Sequence, residues 1–482
     1  MIVRSINKES DHNDFGSTGS QLSTNKNGSK AEMIQGPKIK TLSGGARSKY
    51  NTPNISLRGQ HTSLEHNDTV AMLRNKLESK LGALSDDERN MVRSSLDIIL
   101  SAMEILNLKE QNKMPEPVQK HAPRLMADIG PDESDKQFVH RIFRKDAFWQ
   151  KIPAFAKVTE AEFLDVKFQN KFTVRKLDRL EELIHGLVEP AFIEDVRQGM
   201  EEAPMNLSIS PYLLSLINWA DPYNDPLRIQ FIPLRSRRAI DHPKLTLDSL
   251  GEQSHSPVPG LVHRYPDKVL FLPLDVCPVY CRFCTRSYAI GGDTGTVVKM
   301  KFKNAPQQWH DAFEYIKAHP EIEDVLVSGG DAYMLAPDRM MFIGESLLSI
   351  PHVRRMRFAS KGPAVMPMKI LSDTSWTEAL ISIVAQGRAM GKEVYLHTHF
   401  NSPNEITDIT RRALMHLFFN GVKVRNQTVL IKGVNDTADE MVHLIKKLSY
   451  MNVQPYYVYQ HDMVQGTEDL RTSLSETIEL EK

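Results

Sequence analysis

Asp275-Val276-Cys277-Pro278-Val279-Tyr280-Cys281-Arg282-Phe283-Cys284-Thr285-Arg286 holds all three cysteines of a 482-residue chain, spaced C-x3-C-x2-C. Three thiolates on one tight loop can hold three irons of a four-iron, four-sulfur cluster and leave the fourth iron open to a ligand. A disulfide would leave one thiol over, and cysteines this close are seldom bridged without backbone strain. Structural zinc takes four protein ligands, so zinc remains the alternative only with a distant His. The apolar run Val269-Leu270-Phe271-Leu272-Pro273-Leu274 before the loop reads as a buried strand. The thiols therefore leave the carboxyl end of a strand, where parallel α/β proteins place their chemistry.

From that strand onward the pattern alternates. Candidate strands fall at 269–276, 324–329, 354–360, 393–399, 422–431 and 454–460, and candidate helices at 305–318, 337–349, 375–390, 405–420 and 437–452. Strand–helix units with right-handed crossovers build a parallel sheet. Six of them make an open partial barrel, fewer than the eight that close one. The expected fold class is thus α/β, a six-unit (β/α)6 TIM-like partial barrel over 263–482.

The preceding chain reads differently. Residues 1–68 are rich in Asn, Ser, Gly, Thr and Lys, a composition expected to stay disordered. Residues 69–110 read as a helical hairpin, with Val70, Leu73, Leu77, Leu81 and Leu84 on one stripe and Ser85–Glu88 as a capping box for the second helix. Pro115, Pro117 and Pro123 mark 111–139 as a linker. Residues 140–262 read as mainly helical, one helix running from Val174 to an end at Glu189-Pro190 and another opening at Ser210-Pro211.

Lys plus Arg and Asp plus Glu number 60 each, so charge gives no argument for nucleic acid or an acidic membrane surface. No apolar run is long enough to span a bilayer. Unpaired ligand cysteines fit a reducing interior, and the first residues lack the apolar core of a secretory signal. The expected compartment is the cytoplasm, with an organellar one left open.

C-x3-C-x-aromatic-C, with Phe283 as the aromatic, is the radical S-adenosylmethionine (SAM) signature. Together with His263–Lys268 (HRYPDK), Val327–Ala332 (VSGGDA), Thr398–Thr407, Asn426–Leu430 and Tyr456–Asp462, it resembles the lysine 2,3-aminomutase family in order from about Phe148. The resemblance implies a radical SAM partial barrel wrapped by N-terminal helices that help subunits associate into a homo-oligomer. It implies a 4Fe-4S cluster on Cys277, Cys281 and Cys284, and SAM held by Gly329, Gly330, Asp331, His399 and Gln427. Pyridoxal phosphate (PLP) would be held by Arg264 and Tyr265, with Arg286 on the substrate carboxylate and Asp462 on the distant ammonium. The implied reaction moves the amino group of L-lysine, or a close ω-amino acid, from C2 to C3. It proceeds through a 5′-deoxyadenosyl radical and a PLP imine, with an outside electron donor. Asp462 favours lysine over glutamate, because a carboxylate suits a cationic side chain.

Taken residue by residue, Gly-Gly-Asp is more often an ordinary loop, and a lone His or Gln more often a satisfied buried polar group. For Arg264 and Tyr265 the plain reading is a surface Arg with a core Tyr. The chain also departs from the family. The glycine run ending in the PLP lysine and the cysteines of a structural zinc are missing, Lys361 stands where Arg is expected, and Ser287 replaces a frequent Arg. The short end reads as a truncation or as a form that cannot complete the migration. A non-catalytic cluster- or SAM-binding relative, and an enzyme acting on a protein lysine, are the competing readings.

Overall fold

A computed structural model describes residues 138–301 and 306–481. The expected extension and helical hairpin lie outside the described residues.

Seven strands form one sheet in chain order: β1 Leu261–Tyr265, β2 Lys268–Phe271, β3 Asp324–Val327, β4 Arg355–Ser360, β5 Glu393–Thr398, β6 Lys423–Val429 and β7 Val453–Tyr459. The ladders from β2 to β7 are all parallel, so each crossover returns the chain to the next position, as sequential βα units require. Helices Pro306–Ala318, Pro337–Leu348, Thr374–Ala389, Asp408–Phe419 and Ala438–Tyr450 fill the expected intervals. Each strand offers alternate side chains to them. Val325 and Val327, Met356 and Phe358, and Val394 and Leu396 join the helices in one apolar core. The opposite face is polar. Arg357 Nε lies 2.9 Å from Asp324 Oδ1, and the Arg425 guanidinium stacks 3.9 Å from the Tyr395 ring centroid. The sheet does not close, so this interior need not pack dry.

Three local expectations are corrected. The candidate strands start at 269, but Leu261–Tyr265 already forms β1, and the chain turns at Pro266-Asp267 into an antiparallel pairing with β2, Tyr265 opposite Lys268. Tyr265 is 54% exposed, so it is no core tyrosine. Glu189-Pro190 opens a helix, Pro190–Glu201, and the preceding helix covers only Leu177–Leu183. Proline at the first helical position gives up no hydrogen bond, which is why it starts helices as readily as it stops them.

The segment before the sheet buttresses the cysteine loop. Asp225 caps Pro226–Phe231 by accepting from the N–H groups of Leu227 and Arg228. The Gln230 carbonyl accepts from Arg282 N–H at 2.9 Å, and the Ser208 carbonyl from Tyr280 N–H at 3.0 Å. Tyr212, wholly buried, reaches the Glu405 carbonyl at 3.0 Å and the hydroxyls of Thr407 and Thr410.

Candidate active site

The loop after β2 carries the three thiols, held by backbone contacts on both sides. Gly330 N–H donates to the Leu274 carbonyl at 2.6 Å and Asp331 N–H to the Val276 carbonyl at 3.0 Å. A Cβ on Gly329 would stand 2.2 Å from Leu274 O, and one on Gly330 2.2 Å from Val276 O. The close approach that these glycines permit is therefore to the chain entering Cys277, where a ligand was expected. Gly329 also has φ +89°, a region costly for any residue with a Cβ.

Asp331 is buried, and its carboxylate accepts from Tyr333 N–H and Lys361 N–H, each at 2.8 Å. The expected ammonium partner would have to share oxygens that already tie the β3 loop to the β4 loop. Burial holds its pKa above the usual carboxylate value against those donors.

Cys277, Cys281 and Cys284 are free thiols close enough to act on one another electrostatically. Burial raises all three above the ordinary thiol range, Cys281 to about 12. Such thiols ionise only when a cation or metal supplies the missing stabilisation. Among the described residues no three His, Cys, Asp or Glu side chains converge on a single-ion site. Phe283 packs beside His399, ring centroids 5.5 Å apart. His399 Nε2 is buried and unpartnered among the described residues, and burial beside Lys361 drops its pKa to about 3. A neutral imidazole facing the thiol loop with an unused nitrogen fits a polar ligand at that point. Ser287 Oγ is likewise buried without a partner.

Lys361, replacing the expected Arg, is buried. Its Nζ donates to the His399 carbonyl at 2.7 Å and to Glu405 Oε1 at 3.1 Å. Glu405 in turn accepts from Asn401 N–H at 2.8 Å. Gln427 is half-buried in β6 beside a register shift, opposite Tyr457.

Arg286 Nε and Nη2 bond Glu252 Oε2 and Oε1 at 2.9 and 2.7 Å, and Tyr288 OH donates to the same carboxylate at 3.0 Å. Glu252, 4% exposed, was invisible to sequence reasoning because it lies in a loop without periodicity or motif. Asp462 lies in the loop beyond β7, and burial raises its pKa to about 6 despite the cations Arg264 and Arg286, with Glu252 adding to the rise. Arg264, exposed on β1, donates to the Leu250 carbonyl at 3.1 Å. Glu252, Arg264 and Arg286 all act on the Asp462 charge, which links the thiol loop, β1 and the loop beyond β7 electrostatically.

A parallel partial barrel with three free thiols and a glycine turn on its carboxyl side defines an α/β protein whose thiols stand where such folds place their chemistry. No family model matches the chain. The chain is 38% identical over 329 residues to L-lysine 2,3-aminomutase of Acetoanaerobium sticklandii, covering 68% of this chain and 73% of that protein. It is 37% identical to the L-lysine 2,3-aminomutase of Clostridium subterminale over the same shares. It is 31% identical to the glutamate 2,3-aminomutase of Clostridioides difficile, over 69% of this chain and 73% of that one. The chain belongs to the lysine 2,3-aminomutase family, and is an isomerase that moves an amino group.

Proposed function

We propose that the protein is a radical SAM 2,3-aminomutase acting on L-lysine or a near ω-amino acid. The observation carrying this reading is the set of three mutually close thiols after β2, with His399 and its orphaned nitrogen packed beside Phe283 of the same loop. Cys277, Cys281 and Cys284 would hold a 4Fe-4S cluster, with Asp331, His399 and Gln427 toward SAM. Bound there, the pair supplies one-electron cleavage of the sulfonium to a 5′-deoxyadenosyl radical. Gly329 and Gly330 fix the loop backbone against Leu274 and Val276, and their own backbone groups are the ones assigned to SAM.

The chain's own residues do the positioning. Arg286 keeps Nη1 and one Nη2 hydrogen free of Glu252, enough to orient a carboxylate. Asp462 receives the far ammonium, and a bound cation restores the ionised form that burial disfavours. Holding both ends fixes the substrate chain near the thiol loop, and orientation of this kind is worth up to several kcal/mol. Arg264 and Tyr265 fit the phosphate side of PLP, since the guanidinium is exposed and retains donors.

The test is anaerobic. Protein reconstituted with iron and sulfide, given lysine, SAM, PLP and dithionite, should form β-lysine and 5′-deoxyadenosine. Production of 5′-deoxyadenosine with glutamate but not lysine would overturn the substrate assignment. Protein that takes up zinc and no iron–sulfur cluster would overturn the chemistry.

A further inference from the structure

Lys299 is a buried charge with no ion-pair partner among the described residues. It is 3% exposed, and its Nζ donates to the carbonyls of Pro204 and Ser287 and lies 3.7 Å from Met205 Sδ. Asp293 is exposed, accepts from the backbone N–H of Lys299 at 2.9 Å, and pairs with Lys301 at 3.5 Å. Taking an ammonium out of water costs several kcal/mol unless an anion compensates. Burial accordingly drops its pKa to about 8, and the Cys284 sulfur, ahead of the exposed Asp293, is the nearest group that would oppose that drop once it carried negative charge. The link is also covalently short. Ser287, whose carbonyl Lys299 holds, donates its N–H to the Cys284 carbonyl at 3.2 Å, and Met300 N–H bonds the Tyr288 carbonyl at 2.8 Å.

We propose that Lys299 is the buried counter-charge of the iron–sulfur cluster and raises its reduction potential. The inference rests on the assignment of Cys277, Cys281 and Cys284 as cluster ligands. One electron from a low-potential donor such as dithionite makes the cluster more negative, with no bond made or broken and the donor oxidised. A fixed cation in a low-dielectric site stabilises that reduced form more than the oxidised one. The backbone carbonyls keep the ammonium in place without neutralising it.

The experiment is a redox titration of reconstituted protein followed by absorbance and electron paramagnetic resonance, after iron and sulfide have been counted. Lys299→Gln keeps hydrogen bonding to the carbonyls and drops the charge. It should lower the midpoint so that the reduced-to-oxidised ratio at the wild-type midpoint falls about tenfold, equivalent to about 59 mV for one electron. Lys299→Arg should stay at the wild-type value. Equal midpoints for cluster-loaded wild type and Lys299→Gln overturn the proposal while leaving the cluster assignment intact. If Lys299→Gln loads no cluster, Met205→Glu decides, because it sets a counter-charge beside the ammonium. It too should lower the midpoint, and an unchanged value overturns the proposal. Wild-type protein that never gains iron and sulfide overturns this and the parent reading together.

Discussion

At the scale of single residues the site is a set of charges held against their solvation. Asp462 has a folded pKa of about 6 against an ordinary 3.8, so the folded state binds the proton more tightly. Stability from this group is present at low pH and falls as pH rises from about 4 to 6. Asp462→Asn should therefore raise the melting temperature at pH 7 with little effect at pH 4, while lowering turnover of lysine at least ~100-fold. Calorimetry at the two pH values and product assay check both halves. Above pH 6 the carboxylate is ionised, so kcat/KM for lysine should drop about tenfold per unit below that value. Arg282, within the cysteine loop, donates from Nη2 to both Asp469 carboxylate oxygens, at 3.0 and 2.8 Å, with both side chains largely buried. Arg282→Met leaves Asp469 buried alone and should cost about 3–5 kcal/mol in urea unfolding.

Elements come next, and here backbone proximity decides more than side-chain chemistry. The β3 loop can hold the entry to Cys277 only because Gly330 has no Cβ. Gly330→Ala should reduce iron incorporation to near background, whereas Gly391→Ala, at φ +65° with open space around it, should cost only about 1–2 kcal/mol and load iron normally. Iron and sulfide counts on the two variants are the measurement. The Gly-Gly-Asp motif was legible in the sequence, but its partner was not. A glycine signals a close approach without saying to what, and the answer lies more than fifty residues upstream. The β1 hairpin was missed for a related reason, since His263–Tyr265 is too short and too polar to read as a strand until β2 pairs with it. The opening of a helix at Pro190 was misread because proline marks both ends.

For the whole molecule, the helical region and the barrel share one apolar core, which includes Phe148, Tyr212, Val325 and Leu396. Tyr212 OH joins them through the Glu405 carbonyl and two threonines. Tyr212→Phe should lower stability by about 1–3 kcal/mol and shift far-ultraviolet and tryptophan-fluorescence transitions together. Separate midpoints would mean that the two regions unfold independently. The sequence by itself determined the parallel order of six strands and the place of the thiol loop after the first of them, because periodicity and motif spacing are local properties of the chain. Only the tertiary structure decided that Glu252 occupies Arg286, that Asp331 bridges two loops, and that Lys299 is buried near Cys284. Those pairings join residues 12 to 95 positions apart, and their energies arise from desolvation, which exists only once the chain has closed around them.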